Sequence, residues 1–371
     1  MSDGVDTRRA LCSFEAEGLA GAPARGEGEA LVDDDGVSVA GVRVEFLDVD
    51  ALTDERRVLT LAVHPAGTLR VSMLARRHET FAKALSAARA DARVRGLLAH
   101  GLGVPERFEG AVLEPGPAAD ARLLVFPTHV AAIPAGADPF QVPLGSVIDV
   151  SFTEGTWEVV LATPSRSYHF GRLAHRTDPF ARAVRKAREA MLERCAKASG
   201  TRLFADGRAV PATALGTDFE RLLVSFSAPE RLDGARAIVK RAGRDACRLG
   251  LAELLDPDED SPEAKEELPQ NTAAFLLATF GERVVLELLS GPSAATYVFR
   301  GTTDAIASDL AALHFRRRGL ALTDEETRGP AGRPYRLALR RLEPLKRLRA
   351  ATAARVLHTE GWGESLEKVL G

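Results

Sequence analysis

The residue types that most often carry chemistry are present in this sequence, but they do not stand at the spacings that known sites need. There is no phosphate-binding GxxxxGKS/T loop, GxGxxG turn after a strand, GxSxG elbow, HExxH helix or CxxC pair. His169 and His175 lie across a strand end, too far apart to act as a pair. The other histidines are isolated: His64, His78, His100, His129, His314 and His358. The sequence therefore predicts no catalytic residue, no metal site and no cofactor, and a protein that is not an enzyme.

Paired acids and cysteines do not supply a site either. Asp48 and Asp50 lie on one face of a predicted strand end, where solvation is the simpler interpretation. The cysteines, Cys12, Cys195 and Cys247, are odd in number and far apart, so they predict neither a disulfide framework nor a zinc site. No secretory apolar run is present, and no window approaches the roughly 18–20 apolar residues of a membrane span. We therefore expect a soluble, cytoplasmic protein without a transmembrane segment.

Arginine is the charged residue that clusters in a way suited to binding, because its guanidinium group donates parallel hydrogen bonds to phosphate or carboxylate. The net charge of −3 is too small to indicate a nucleic-acid or membrane protein by itself. The candidate contacts for an anion or a partner are Arg76, Arg77, Arg176, Arg316, Arg317, Arg318, Arg333, Arg336, Arg340, Arg341 and Arg347. The tail arginines have a second interpretation, as the solvated face of an amphipathic helix, and the acidic run 256–267 is a candidate intramolecular partner.

A duplication organises the elements that must position these residues. Leu74–Arg89 is repeated 99 residues later as Leu173–Arg188, with identities spread through one ungapped register. Each copy has the pattern of a strand followed by a helix, and in the second copy Asp178 is predicted as the N-cap before Pro179. Apolar strand positions repeat at an offset of 98, since Phe46, Val49 and Leu52 match Leu144, Val147 and Val150. The duplication therefore covers strands as well as the helix.

The strand and turn patterns divide the chain into five segments. These are a flexible lead-in (1–28), a first unit (29–104), a second unit (105–200), a third and diverged copy (201–327) and a basic helical C-terminal region (328–371). The third copy is expected to end in a helix at Thr303–Arg318. An acidic, proline-bearing run at 256–269 is expected to be a solvated loop, and Pro344 is expected to divide the tail into two helices.

Several strands, a final helix and about 100 residues per unit resemble the pleckstrin-homology (PH) superfold. The carrying segments are 123–134 with 143–150, which look like the second to fourth strands of PH-like and GRAM-like domains, and 45–50 in the first copy. The arrangement is similar to bacterial PH-domain proteins and to the tandem PH-like middle domains of histone chaperones. The resemblance implies an α+β protein of tandem, bent antiparallel β-barrels, each capped by a C-terminal helix, plus a helical tail.

PH-like domains bind phosphoinositides, peptides or other proteins, so the resemblance leaves several functions open. Lipid-binding members resemble one another in a basic cluster at the first hairpin, whereas the corresponding turns here are Asp33–Gly36 and Glu114–Pro117, which repel phosphate. We therefore predict a non-enzymatic scaffold that binds an unidentified protein partner at exposed strand edges or beside each capping helix. One alternative is a peripheral binder of anionic lipids. The other is a nucleic-acid or nucleoprotein binder that uses the arginine-rich C-terminal region.

Overall fold

The computed structural model describes residues 7–101, 103–203, 209–253, 272–289 and 295–371. The chain forms two compact units. Unit 1 comprises Met1–Ala99, Gly136–Pro139 and Arg333–Arg340, and unit 2 comprises His100–Ala135, Phe140–Gly332 and Arg341–Gly371. The described residues form antiparallel sheets and helices, which confirms the α+β class expected from the sequence. The predicted acidic loop at 256–269 lies outside the described residues.

Unit 1 is built on a seven-stranded antiparallel sheet followed by a helix. Its elements are β1 Arg9–Glu17, β2 Arg25–Val32, β3 Gly36–Val39, β4 Val42–Glu45, β5 Val49–Glu55, β6 Val58–Val63, β7 Gly67–Ser72 and α1 His78–Gly96. The strand order is β4-β3-β2-β1-β7-β6-β5. Alternate strand residues and the α1 residues Phe81 and Leu85 fill one core, as the strand and helix periodicities require. Strand β1 is central and lies within the segment expected to be a flexible lead-in.

Unit 2 repeats this arrangement in its first part. The elements are β8 Glu106–Glu114, β9 Ala119–Val125, β10 His129–Pro134, β11 Phe140–Pro143, β12 Asp149–Thr153, β13 Glu158–Ala162, β14 Ser167–Gly171 and α2 Thr177–Ser199. The order is β11-β10-β9-β8-β14-β13-β12, strand for strand the same as in unit 1. Both sheets are open, with edge strands at each end, rather than the closed barrels expected. The core of each unit lies between the sheet and its helix. In unit 2 the rings of Phe170 and Phe180 meet there edge to face.

The rest of the chain forms a third sheet of a different kind. The elements of this part of the chain, which includes the Arg333–Arg340 segment of unit 1, are β15 Ala209–Pro211, α3 Asp218–Phe226, α4 Pro229–Ala242, β16 Cys247–Glu253, β17 Thr272–Phe280, β18 Arg283–Leu288, β19 Ala295–Arg300, α5 Thr303–Ala312, α6 Arg318–Ala321, α7 Arg336–Arg341, α8 Glu343–Ala351, β20 Thr352–Leu357 and α9 Trp362–Leu370. The six strands β15 to β20 follow one another in chain order. This sheet therefore does not repeat the strand order of the first two, and its last strand comes from the segment predicted to be helical.

Three local expectations also change. Helix α2 begins at Thr177, so Asp178 lies in its first turn and is not the N-cap. Helix α5 ends at Ala312, because the residues that follow Leu313 adopt a left-handed backbone, with φ of 49° at His314. Asp33–Asp35 lie in the second turn of unit 1, between β2 and β3, because β1 precedes them. There Arg43 hydrogen-bonds Asp33 and lowers the pKa of its carboxyl to about 2.

None of the described helices is long and apolar enough to cross a membrane, as expected. The three cysteines lie within the described residues, where they are buried and form no disulfide. Burial raises the pKa of Cys12, and it raises the pKa of Cys247 to about 11, so neither of these thiols is an activated nucleophile.

Candidate functional site

Arginines on the helix that follows each sheet hold the start of an edge strand in both units. In unit 1, Arg89 Nη2 donates to the Val49 carbonyl at 3.3 Å. In unit 2, Arg188 Nε donates to the Val147 carbonyl at 2.8 Å. These two pairs are the positions that the duplication aligns, so the contact itself is duplicated. Arg185 adds a fork in unit 2, with Nε and Nη2 at 3.2 and 2.9 Å from the Val150 carbonyl.

Beside this contact, unit 2 carries a row of apolar side chains, which we name the β12 strip: Ile148, Val150, Phe152 and Trp157. Ile148 is 52% exposed and Trp157 is 59% exposed. The rings of Phe152 and Trp157 have centroids 5.9 Å apart. Val150 and Phe152 are half-buried against the core of the sheet. Large exposed apolar side chains grouped on an edge strand are typical of a contact surface.

Two of these four positions are acidic in unit 1. At the offset of 98, Asp50 corresponds to Ile148 and Asp54 corresponds to Phe152. Asp54 is engaged within the unit, since both of its carboxylate oxygens lie 2.9 Å from His78 Nε2. These changes from acidic to apolar residues were not used in the sequence analysis. An alignment of the two copies would have found them, because it distinguishes positions that keep their residue type from positions where the type has changed.

A segment of the chain itself covers the neighbouring acidic surface of unit 1, which we name the acidic face: Glu45, Asp48 and Asp50. Arg336 pairs with Glu45 and lies 3.0 Å from Asp48. Arg340 donates to the Leu47 carbonyl at 2.8 Å and lies 3.7 Å from Asp50. Arg333 also pairs with Glu45. Burial raises the pKa of Asp48 despite the opposing charge of Arg340, so this carboxylate is held in a partly desolvated position.

An apolar contact completes this docking. A Cβ built at Gly96 of α1 would lie 3.2 Å from Leu337 Cδ2 and closer still to Leu47, so the absence of a side chain at this position lets both leucines pack closely on the helix. The segment Arg333–Arg340 is thus held in unit 1 by paired charges around one buried leucine. Its carboxylate partners among the described residues form the acidic face, and the acidic run 256–267 lies outside the described residues.

The predicted arginine sites are distributed over several places, and most have bonding partners of their own. Arg77 donates to the Arg9 carbonyl at 2.9 Å, and Arg176 lies over the Phe108 ring at 4.5 Å. Arg347 pairs with Asp309 at 2.6 Å. The remaining members are exposed, or partly buried at helix ends: Arg76, Arg317, Arg318 and Arg341. The tail arginines therefore serve largely to hold the chain to its own acidic and carbonyl groups.

Unit 2 contains a buried cluster of histidines at the end of α5. His314 contacts the side-chain amide of Gln141, and its ring lies 4.3 Å from that of His129. Arg316 Nη2 lies 3.0 Å from His100 Nε2. Burial lowers the pKa of His314 well below its ordinary value, and the neighbouring His129, Arg316 and His100 lower it further. The cluster links α5 to the second sheet, and this packing role accounts for its buried position.

A second polar cluster lies where β18, β19 and α9 meet. Thr296 Oγ1 donates to the Glu287 carboxylate and accepts from Trp362 Nε1 at 2.8 Å. His358 Nε2 lies 3.0 Å from Glu287 Oε1 and 3.4 Å from Thr296 Oγ1. One ring nitrogen thus faces both the acid and the hydroxyl, whereas a proton relay needs them on opposite nitrogens. The geometry is that of a structural network which fixes α9.

In the part of the chain that the structure describes, no group of three or more histidine, cysteine or acidic side chains is placed to hold a metal ion. Comparison with protein-family models and with curated proteins finds no match for this chain.

Proposed function

We propose that this chain is a non-enzymatic protein-interaction scaffold whose first two sheets are PH-like units. Support for the PH-like assignment comes from the repeated strand order and from the helix that follows each sheet. In both sheets the first strand, β1 or β8, pairs with the second strand on one side and with the seventh strand on the other. We take the chain to act in the cytoplasm, in keeping with its three buried thiols.

The docking of Arg333–Arg340 on the acidic face is the observation that carries the proposal. In unit 1 the surface at the start of β5, beside α1, receives a short helical segment through opposite charges and one buried leucine. A surface that holds a helical segment in this way uses the general mode in which an amphipathic helix fits a groove. The duplicated unit offers the corresponding surface with different side chains.

The alternatives receive less support from the geometry. Both buried polar clusters lack the arrangement of an acid, a base and a nucleophile, which weighs against catalysis. Three of the arginines expected to bind lipid or nucleic acid, Arg333, Arg336 and Arg347, are paired with Glu45, Asp48 and Asp309, so less of their charge is available to an external polyanion. Protein binding is the interpretation that uses the surfaces left exposed.

Photocrosslinking from the full chain tests the proposal. Benzoylphenylalanine is placed at Trp157 and, as a control, at Val58 in the corresponding hairpin of unit 1. Cells that produce each variant are irradiated, and the adducts are treated with nuclease and with detergent before electrophoresis. We expect discrete protein adducts from position 157 that survive both treatments and are absent from position 58. Adducts that vanish with nuclease or consist of lipid would overturn the proposal.

A further inference from the structure

We propose that the β12 strip, together with Arg185 and Arg188 of α2, binds an acidic amphipathic segment of another protein. This inference rests on the proposed function and names the chemistry of the partner at one surface. The proposed partner carries the opposite charge for three reasons. Among its described residues, unit 2 has two arginines without an ion pair and a row of exposed apolar side chains at this surface, and unit 1 shows how the duplicated surface holds a segment.

The first feature is positive charge that nothing described in the chain neutralises. Arg185 and Arg188 are half-buried and donate to the Val150 and Val147 carbonyls, which are neutral acceptors. Within the described residues neither guanidinium forms an ion pair with a carboxylate. Each keeps further N–H groups beyond those already used, since a guanidinium has five. Two adjacent cations in a partly desolvated position favour a carboxylate-bearing ligand, because such hydrogen bonds are stronger than those to neutral acceptors.

The second feature is the exposed apolar row beside these cations. Ile148 and Trp157 present more than half of their surface to solvent, and Trp157 stands against the ring of Phe152. Tryptophan and arginine are the residue types that most often dominate the energy of a protein interface. The fork of Arg185 on the Val150 carbonyl also covers part of the free edge of β12, so side-chain docking is favoured over addition of a strand.

The third feature is that the duplicated surface in unit 1 already binds a charged segment of the same chain. Unit 1 presents acids at the matching surface and holds Arg333–Arg340, a segment of arginines around Leu337. In unit 2 the acid Asp50 is replaced by Ile148 and the acid Asp54 by Phe152, while Arg188 keeps the place of Arg89. Each unit has two helix arginines at this strand, Arg89 and Arg93 in unit 1 and Arg185 and Arg188 in unit 2. Arg93 also pairs with Asp138, whereas the unit 2 arginines form no such pair within the described residues. The same architecture without the acids therefore fits a segment of reversed charge.

The test uses a synthetic peptide as the probe. It has the sequence of Pro330–Glu343 with each of its four arginines replaced by glutamate, and it carries a fluorophore. Its anisotropy is titrated with the full-length protein at low salt and at about 0.15 M salt, where exposed charges are well screened. The unaltered arginine peptide is titrated in parallel. We expect the glutamate peptide to bind with an affinity that weakens as salt is added, and the arginine peptide to bind the strip at least tenfold more weakly.

Variants locate the binding. Trp157→Ala and Ile148→Asp change exposed side chains and Arg188→Met removes one cation, so we expect each to weaken binding of the glutamate peptide by about tenfold, the loss of a moderate hot spot. Met73→Ala, at an exposed apolar position of unit 1, is the matched control and should bind as the parent does. Equal binding by all four variants would overturn the inference, as would failure of the parent protein to bind the glutamate peptide.

Anionic vesicles supply the remaining arm of the test. Retention of the protein on vesicles that contain phosphatidylserine at about 0.15 M salt, abolished by Trp157→Ala, would overturn the inference in favour of a membrane surface. Failure of the peptide to bind while protein adducts persist at position 157 would refute only the acidic character of the partner. Loss of those adducts would refute the scaffold function itself, so the two proposals fail separately.

Discussion

Replacement of His314 by glutamine should remove a specific sensitivity of unit 2 to acid. The side chain is only 3% exposed and faces His129, His100 and Arg316, so the folded state disfavours its protonated form. In the unfolded chain the same imidazole has an ordinary pKa of about 6.5. The pKa is therefore lower in the folded state, and the unfolded state binds the extra proton. Stability from this residue is present above about pH 6.5 and is lost as the pH falls.

The size of the effect follows from the linkage between protonation and folding. If the folded state stays unprotonated at His314, the free energy of unfolding falls by about 1.4 kcal/mol between about pH 7.5 and 5.5. A glutamine side chain does not titrate, so His314→Gln should lack this component of the pH dependence. The substitution also disturbs the buried contact with Gln141, which lowers stability by about 1–3 kcal/mol at all pH values. The loss of stability, which is the same at every pH, can therefore be distinguished from the change in the pH dependence of the free energy of unfolding.

Both tryptophans of the chain, Trp157 and Trp362, belong to unit 2, so their fluorescence follows its unfolding. Guanidinium titrations at a series of pH values would compare the parent, His314→Gln and a control, His175→Gln, in which an exposed histidine is replaced. We expect the free energy of unfolding to depend on pH with the same slope in the parent and the control, and with a shallower slope in His314→Gln. Identical slopes for parent and His314→Gln between about pH 7.5 and 5.5 would refute the assignment of a neutral, buried imidazole.

Three further substitutions test contacts described above. Trp362→Phe should lower the free energy of unfolding by about 1 kcal/mol, since it removes a hydrogen bond to a buried hydroxyl, and denaturant titration followed by circular dichroism would measure this. Arg336→Glu places like charges beside Glu45, so amide hydrogen exchange should rise throughout 333–340 while exchange in β16–β19 stays unchanged. Gly250→Ala should lower the melting temperature, with a loss of about 1–3 kcal/mol, because the new methyl group overlaps the Phe275 ring; an unchanged melting temperature would contradict the packing of β16.

Much of the first two sheets follows from the sequence, because local pattern and internal repetition agree. The duplicated Leu74–Arg89 register predicts both helices, and the offset of the apolar strand positions predicts their matching strands. The third region could not be predicted in the same way. Strand β20 was expected to be helical because its arginines and alanines suit a helix, yet it pairs with β19 and completes a sheet whose other strands lie far from it in the chain.

The candidate site was harder to predict than the fold. Ile148 and Trp157 fit a strand pattern in the sequence, but in the structure they flank β12, with Trp157 in the turn that follows it. The position of β12 at the edge of the sheet does not follow from the sequence pattern. The contacts that the structure describes for the basic tail include Glu45 and Asp50, which the sequence pattern did not indicate as its partners. Charge patterns predict that a partner is needed, but only tertiary structure selects which carboxylate supplies it.

The position of Arg333–Arg340 within unit 1 also bears on how the chain is made. Arg333 follows Ala99 by 234 residues, so the ribosome releases the last piece of unit 1 long after the first sheet has been synthesised. At about 5–20 residues per second, the interval is roughly 12–47 s. During that time the growing chain presents three carboxylates and a glycine-lined helix surface without their basic cover. A nascent chain of this protein thus passes through a stage in which other basic segments can contact that surface before its own tail is synthesised.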